Sequence, residues 1–475
     1  MTNTWHSGLE SQREEVSDER LPVAGSFPSW LDGTLFVNGP GVFEVGDRRL
    51  NHWFDALAML RGFRINGNTI RYTNRLVRSE DFRVASEEGR VRRQLPGTPA
   101  DGSALRRLYL GLAGDFQDNP SIGVLHLEGS VYAVTESPIG IEIDPQTLQT
   151  VGRRDLSTGL EADATLGHTH VDEGVQWGLA PSFGRKVAYT LFRREPDEPP
   201  EAVTRLWFGS HPPYIHAFAL TERYAVVPEG SFGVDFRALL SGIPRGRTFL
   251  DAFRRRDGTP RFHVIDRETG ARTAAVGAEP FFVFHVANAF ELDDTIVVDC
   301  VAYDDIRAIT GLTVDNLRSD DPAVPRGDFV RYRLPLNGGR AERETLYPGP
   351  AEFPTINYTA VNGRAYDYAY LASIDRGSLP TAIAKVRPDT RETHRWSRAG
   401  VHPGEPLFVP APNGGDEDDG VLLSLALDSN ADRSVLLCLD ATTLTERGRA
   451  PLPHRLPAGF HGQFYDATDP RRLMQ

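Results

Sequence analysis

Along most of the chain, apolar and polar residues alternate in short runs broken by glycine, proline, asparagine or aspartate. Examples are "RINGNTIRYTNRLVRS" (64–79), "GSVYAVTESPIGIEI" (129–143), "TERYAVVPEG" (221–230), "DTIVVDCVAYDD" (294–305), "GVLLSLALDS" (420–429) and "RSVLLCLD" (433–440). A two-residue period is that of a half-buried β-strand. In the first run Asn66-Gly67 is a good hairpin turn. Helical periodicity is scarce; the best short candidates are 231–246 ("SFGVDFRALLSGIPRG") and 247–255 ("RTFLDAFRR").

The strands fall into a repeat. An apolar strand, a turn ending in threonine and a polar outgoing strand recur in "IEIDPQTLQTVGRRDL", "FHVIDRETGARTAAV", "AIAKVRPDTRETHRW" and "LLCLDATTLTERGRA". The shared threonines are Thr147, Thr269, Thr390 and Thr443, separated by 122, 121 and 53 residues. These separations read as two units, two units and one unit. The unit lies at or somewhat above the ~40–50 residues of a propeller blade. About seven or eight such units fill the chain, so the fold expected is an all-β propeller rather than a tandem of sandwiches. No linker marks a domain boundary. We expect a flexible N-terminal segment over 1–19 and a single propeller domain over 20–475.

At 475 residues the chain exceeds what one ordinary core needs, but propellers grow by adding blades that each bring a core. The net charge of −13 argues against nucleic acid as a partner. Cys300 and Cys438 sit in apolar runs and read as buried free thiols of a reducing compartment. The polar N-terminus has no apolar core of the signal-peptide kind, and no run reaches the ~20 apolar residues of a spanning helix. The chain therefore reads as cytoplasmic. The stretch 231–256, which mixes Phe and Leu with Arg, is a candidate for peripheral membrane contact; a helix packed on the propeller is the alternative. No obligate protein partner is evident.

Most of the 13 histidines have bland surroundings. Four stand apart: His168 in "TLGHTHVDEG", His216 in "PPYIHAFAL", His285 in "FVFHVANAFE" and His461 in "PAGFHGQFYD". Inner strands of successive blades converge on one axis, so distance in sequence does not prevent these rings from meeting. Neutral nitrogen donors suit iron, copper, nickel or zinc rather than magnesium or calcium. Carboxylates placed behind such rings fix the tautomer and raise basicity. Glu136, Glu352 and Glu405 lie in apolar strand contexts and are candidates; the alternative is that each is paired with one of the many arginines.

These motifs carry a resemblance. "NGPGVFEVGDRRLNHWFDALAMLRGFRI" (38–65), "YIHAFALTERYAVV", "FHVANAFE", "EFPTINY", "EPLFVP" and "FHGQFYD" resemble, in order, motifs of the carotenoid cleavage oxygenases. That resemblance implies a seven-bladed β-propeller with a small helical dome, and Fe(2+) held by His168, His216, His285 and His461. It also implies Glu136, Glu352 and Glu405 behind the rings, paired in motif order with His216, His285 and His461, and Thr135 on the O2 face. The family's first ligand motif has proline after the histidine, where this chain has Thr169; His170 is thus a rival to His168. The activity implied is cleavage of a C=C bond of a carotenoid or apocarotenoid by O2, giving two carbonyl products. The alternatives are cleavage of phenolic stilbenes, polyene isomerisation and a non-enzymatic propeller acting as a binding module. The stilbene reading calls for a lysine beside the substrate, and the chain has only Lys186 and Lys385.

Overall fold

The computed structural model describes residues 5–113, 116–184, 186–325, 327–467 and 469–474. Its sheets form the seven blades of a β-propeller. In chain order the blades cover residues 32–76, 123–155, 170–208, 219–277, 282–347, 351–397 and 401–451. Blades 2 to 6 are four-stranded antiparallel sheets. First strands of neighbouring blades touch one another, as Phe282–Leu292 of blade 5 does with Ala351–Thr355 of blade 6. The ring is closed twice. Gly462–Asp466 pairs antiparallel with Asp32–Val42 in blade 1, and Ala24–Gly25 adds a strand to Glu446–Pro451 in blade 7.

The threonine repeat marks one structural position. Thr147, Thr269, Thr390 and Thr443 lie between the third and fourth strands of blades 2, 4, 6 and 7, so their separations are two, two and one blades. In each turn the next residue is left-handed: Leu148 (φ 57°), Gly270 (69°), Arg391 (61°) and Leu444 (56°). Each of those residues donates its N–H to the carbonyl four residues earlier, at 2.8–2.9 Å. Three turns are further fixed by an aspartate that accepts from the threonine, as Asp144 does from the Thr147 N–H at 2.7 Å and its Oγ1 at 2.8 Å. Arg387 stands at that position in blade 6, where the backbone turn forms without the cap.

The core is distributed between the blades. One cluster joins blades 1 and 7 around Leu35, Phe63, Leu423 and Leu436, and another packs blades 5 and 6 around Phe282, Val297, Leu371 and Val386. Cys300 and Cys438 are buried free thiols inside this packing.

Three sequence expectations need amendment. From Trp5 onward the segment 1–19, expected to be flexible, lies on the propeller. Trp5 and Leu9 are buried, the Gln12 N–H donates to the Gly41 carbonyl at 2.8 Å, and Glu19–Arg20 pairs with Arg71 and Tyr72. Two apolar anchors in a polar stretch are enough to dock it. The helix expected over 247–255 is reduced to a 3-10 turn, Leu250–Ala252, followed by the strand Phe253–Arg255. Two helices escaped the sequence reading, α1 (Glu80–Glu88) and α2 (Ala104–Ala113). Together with α3 (Phe236–Gly242) and shorter turns they build the dome on one end of the ring. The hairpin expected in 64–79 forms, but Asn66 pairs with Thr69, so its turn is Gly67-Asn68 rather than Asn66-Gly67.

Candidate metal centre

His168, His216, His285 and His461 converge, each offering one nitrogen, and those nitrogens all lie within 4.8 Å of one another. They come from the starts of the innermost strands. His168 precedes His170–Asp172, His216 precedes Ala219–Leu220, His285 lies in Phe282–Leu292, and His461 precedes Gly462–Asp466. Nε2 of His168 is 3.1 Å from Nε2 of His216, and Nε2 of His285 is 3.1 Å from Nε2 of His461.

Three carboxylates lie behind three of the rings. His216 Nδ1 is 2.6 Å from Glu136, His285 Nδ1 is 2.6 Å from Glu352, and His461 Nδ1 is 2.9 Å from Glu405. Each carboxylate has a second donor. The Tyr214 hydroxyl donates to Glu136 at 2.8 Å, the Tyr303 hydroxyl to Glu352 at 2.5 Å, and the Gly462 N–H to Glu405 at 2.8 Å. Glu352 also accepts the Phe353 N–H at 2.9 Å. Phe353 reaches this position in a left-handed backbone conformation (φ 51°), costly for a bulky residue and of the kind found at functional sites. Its ring packs against both His285 and His461, with centroids 5.5 and 5.4 Å away.

Burial and the surrounding imidazoles push His168 well below the ordinary histidine range. Burial likewise lowers His285, although Glu352 opposes it. Burial acts to raise Glu352, but His285, Tyr303 and the Phe353 N–H outweigh it and hold the carboxyl below its usual range. Burial and the adjacent Glu352 lift Tyr303 well above the ordinary phenol, so its proton stays on the oxygen. The His168 and His285 rings are therefore neutral and Glu352 is charged.

The donor set fits a metal ion. An ionised carboxylate accepts from Nδ1–H, which leaves the lone pair on Nε2. His285 and His461 are both assigned this tautomer by their carboxylates, so two lone pairs face each other at 3.1 Å with no proton between them. A cation relieves that repulsion. Two nitrogens held at right angles about 2.1 Å from one ion are about 3.0 Å apart, close to the spacing seen. Four neutral nitrogens with no thiolate select a borderline transition metal.

His170 is not in this group. Its ring nitrogens are 2.8 Å from the Tyr358 hydroxyl and 2.8 Å from the Phe218 carbonyl, an ordinary satisfied core histidine. Thr135 is buried on the wall of the adjoining cavity. The residues missed in the sequence were Tyr214, Tyr303 and Phe353. An aromatic in a strand reads as core, and only the tertiary fold shows that a hydroxyl tip meets a carboxylate. Tyr303→Phe is expected to weaken metal affinity by less than about tenfold and to cost about 1.5–3 kcal/mol, the range for a hydrogen bond to a charged group, as checked by metal titration and thermal unfolding.

The rings His216, His285 and His461 open onto a cavity of about 1440 Å3 beneath the dome. Phe54, Phe284 and Phe460 line it near the histidines, and Phe236, Leu239 and Ile243 line it under α3. His168 is not among the residues lining that cavity; with His285 and His461 it lines a smaller adjoining space of about 130 Å3.

The fold and site thus define a propeller that carries four converging histidines, three of them backed by carboxylates, at the wall of a large cavity. Residues 9–466 match the family described as RPE65, retinal pigment epithelial membrane protein, and the chain belongs to that family. It is 33% identical to carotenoid cleavage dioxygenase 8 homolog A, chloroplastic, of Oryza sativa subsp. japonica, over 98% of this chain and 89% of that one. It is 29% identical to β,β-carotene 15,15'-dioxygenase of Mus musculus, over 97% of this chain and 91% of the mouse protein. Among solved structures, cobalt-substituted Synechocystis apocarotenoid oxygenase superposes with a TM-score of 0.85 at 24% identity, covering 98% of both chains.

Proposed function

We propose that this chain is an iron(II)-dependent oxygenase that cleaves a C=C bond of a carotenoid or apocarotenoid with O2, giving two carbonyl products. The observation that carries the reading is the four-histidine group at the floor of an aromatic cavity of about 1440 Å3, long enough in lining to take a polyene. The printed names of the relatives, carotenoid dioxygenases of animals and plants, support it.

His168, His216, His285 and His461 would hold the ion, and iron there would supply the binding and activation of O2 that the alkene needs. Adding O2 across a C=C to leave two C=O groups moves no proton, so a side-chain acid or base is not required. The work left to the protein is positioning. Phe54, Phe284 and Phe460 flank the histidines and provide flat apolar walls for a conjugated chain. Their packing also keeps water from the reacting centre. Thr135, on the same wall beside Glu136, would be the small residue next to bound O2 in this reading. Purified protein loaded with Fe(II) should convert a carotenoid or apocarotenal, under 18O2, into two labelled carbonyl compounds seen by mass spectrometry. A loaded protein that consumes neither polyene nor O2 overturns the reading.

Stilbene cleavage finds less support, because Lys385 is engaged by Asp418 and the Thr442 carbonyl, and Lys186 does not line the cavity.

The substrate's insolubility calls for contact with a membrane. No helix among the described residues is long and apolar enough to cross one. Exposed apolar side chains at this end lie on α2 as well as in the expected stretch 231–256. Leu105 (79% exposed) and Tyr109 (70%) project from α2, whereas in α3 only Leu240 does so, and Phe236 and Leu239 turn inward. Leu240, Leu110 and Phe116 also line the cavity, so the patch rims its mouth. Replacing Leu105, Tyr109 and Leu240 together by Asp is expected to lower liposome partitioning at least tenfold in a sedimentation assay. Unchanged partitioning would remove this mouth from the membrane role.

A further inference from the structure

The N-terminal segment does more than dock. Trp5 lines the large cavity, as do Trp53, Leu312 and Val324, on a stretch of wall away from α2 and α3. The indole is 7% exposed, and its N–H donates to the Leu317 carbonyl at 3.2 Å. One face of the ring lies on Gly377, whose φ is +78° and where an added Cβ would come within 2.6 Å of the indole. Both the backbone conformation and the indole therefore require glycine at 377. Around the ring, Leu9, Leu317, Leu379 and Leu427 complete a small separate core. The segment is strapped down by the Ala458 N–H donating to the Gly8 carbonyl at 2.8 Å and by Arg455 donating to Glu10 at 2.5 Å. Trp53 joins this core to the metal centre: its ring is 4.8 Å from that of Phe460, the residue before His461.

We propose that Trp5 is a specificity-determining residue, the end wall that limits the bulk of the polyene terminus accepted in this arm of the cavity. The segment contributes this wall from outside the blades. The assignment rests on the oxygenase reading for its substrate class, not for its geometry. A wall residue discriminates through the volume it denies. In an apolar pocket each methylene-sized change is worth roughly 10–200-fold. Removing an indole therefore shifts selectivity between slim and bulky ends by at least about tenfold.

The test uses the full-length iron-loaded protein and two polyenes of equal conjugation, one ending in an open isoprenoid chain and one in a trimethylcyclohexenyl ring. For the wild type, Trp5→Ala and Trp5→Phe, the kcat/KM ratio and the binding ratio, from fluorescence quenching by the polyene, are both measured. Trp5→Ala should raise the ring-to-open ratio at least about tenfold, mainly through KM, with metal content unchanged; Trp5→Phe should return most of it. Trp5→Leu, which keeps an apolar side chain on Gly377, replaces Trp5→Ala if the latter does not fold. A structural role alone would lower both substrates together. Equal binding ratios in wild type and variants overturn the wall. A wild type that binds both polyenes with the expected preference and cleaves neither overturns the oxygenase reading and leaves the wall standing.

Discussion

His285→Ala is expected to yield a folded protein that neither retains iron nor cleaves a polyene. The substitution removes one of four converging nitrogens and relieves the facing pair formed with His461 at 3.1 Å. It also strips Glu352 of its imidazole partner, while Tyr303 and the Phe353 N–H keep that carboxylate satisfied. The blade itself should therefore survive, because Phe282 and Phe284 continue to pack in the core around it. Elemental analysis after reconstitution should show metal reduced at least tenfold, with carbonyl products at background. His170→Gln is the control. Its ring bonds to Tyr358 and Phe218 and should be dispensable for metal content. Stoichiometric metal in His285→Ala, or loss of metal in His170→Gln alone, would reassign the ligands.

Glu352→Ala should reduce metal affinity and turnover by roughly 10–100-fold, the usual effect of removing the carboxylate behind a ligating histidine. The reason is local. Without the carboxylate the His285 Nδ1–H, the Tyr303 hydroxyl and the Phe353 N–H all lose their acceptor. The ring is then free to rotate or change tautomer, which moves the proton onto the nitrogen that faces the metal. Each orphaned buried donor also costs about 1–3 kcal/mol, so the melting temperature should fall as well. Glu352→Gln, which keeps one acceptor oxygen, should lie between wild type and Glu352→Ala. Metal titration of the apoprotein with initial-rate measurements decides the matter; identical affinity and rate in Glu352→Ala would take this residue out of the centre.

The blade repeat could be read in the sequence because it is local. A hairpin that needs a left-handed residue after threonine leaves a mark at fixed spacing, and Asp144, Asp266 and Asp440 each cap a turn only three residues ahead. The histidines were legible for a different reason: a polar ring amid Phe, Val and Ala contradicts its surroundings unless something binds it, and the family motifs placed three of them, leaving His170 a rival to His168 for the fourth. What escaped depends on partners distant in sequence. Tyr303 looks like one more core aromatic until Glu352, 49 residues on, is seen to accept from it. Trp5 and Leu9 are outnumbered by charges in their own stretch, and their sockets come from Leu317, Leu379 and Leu427. The helices of the dome are too short for periodicity to stand out; α1 spans only 9 residues.

Every blade places one residue in the metal centre or behind it: His461, Glu136, His168, His216, His285, Glu352 and Glu405 come from or beside blades 1 to 7 in turn. The last of these to leave the ribosome is His461, on the strand that zips the ring shut against Asp32–Val42. An ion at this centre would thus meet all four nitrogens only once Gly462–Asp466 has paired with Asp32–Val42 and closed the ring. Metallation would then be a rivet set after ring closure, and a chain clipped before His461 would lack one of the four nitrogens.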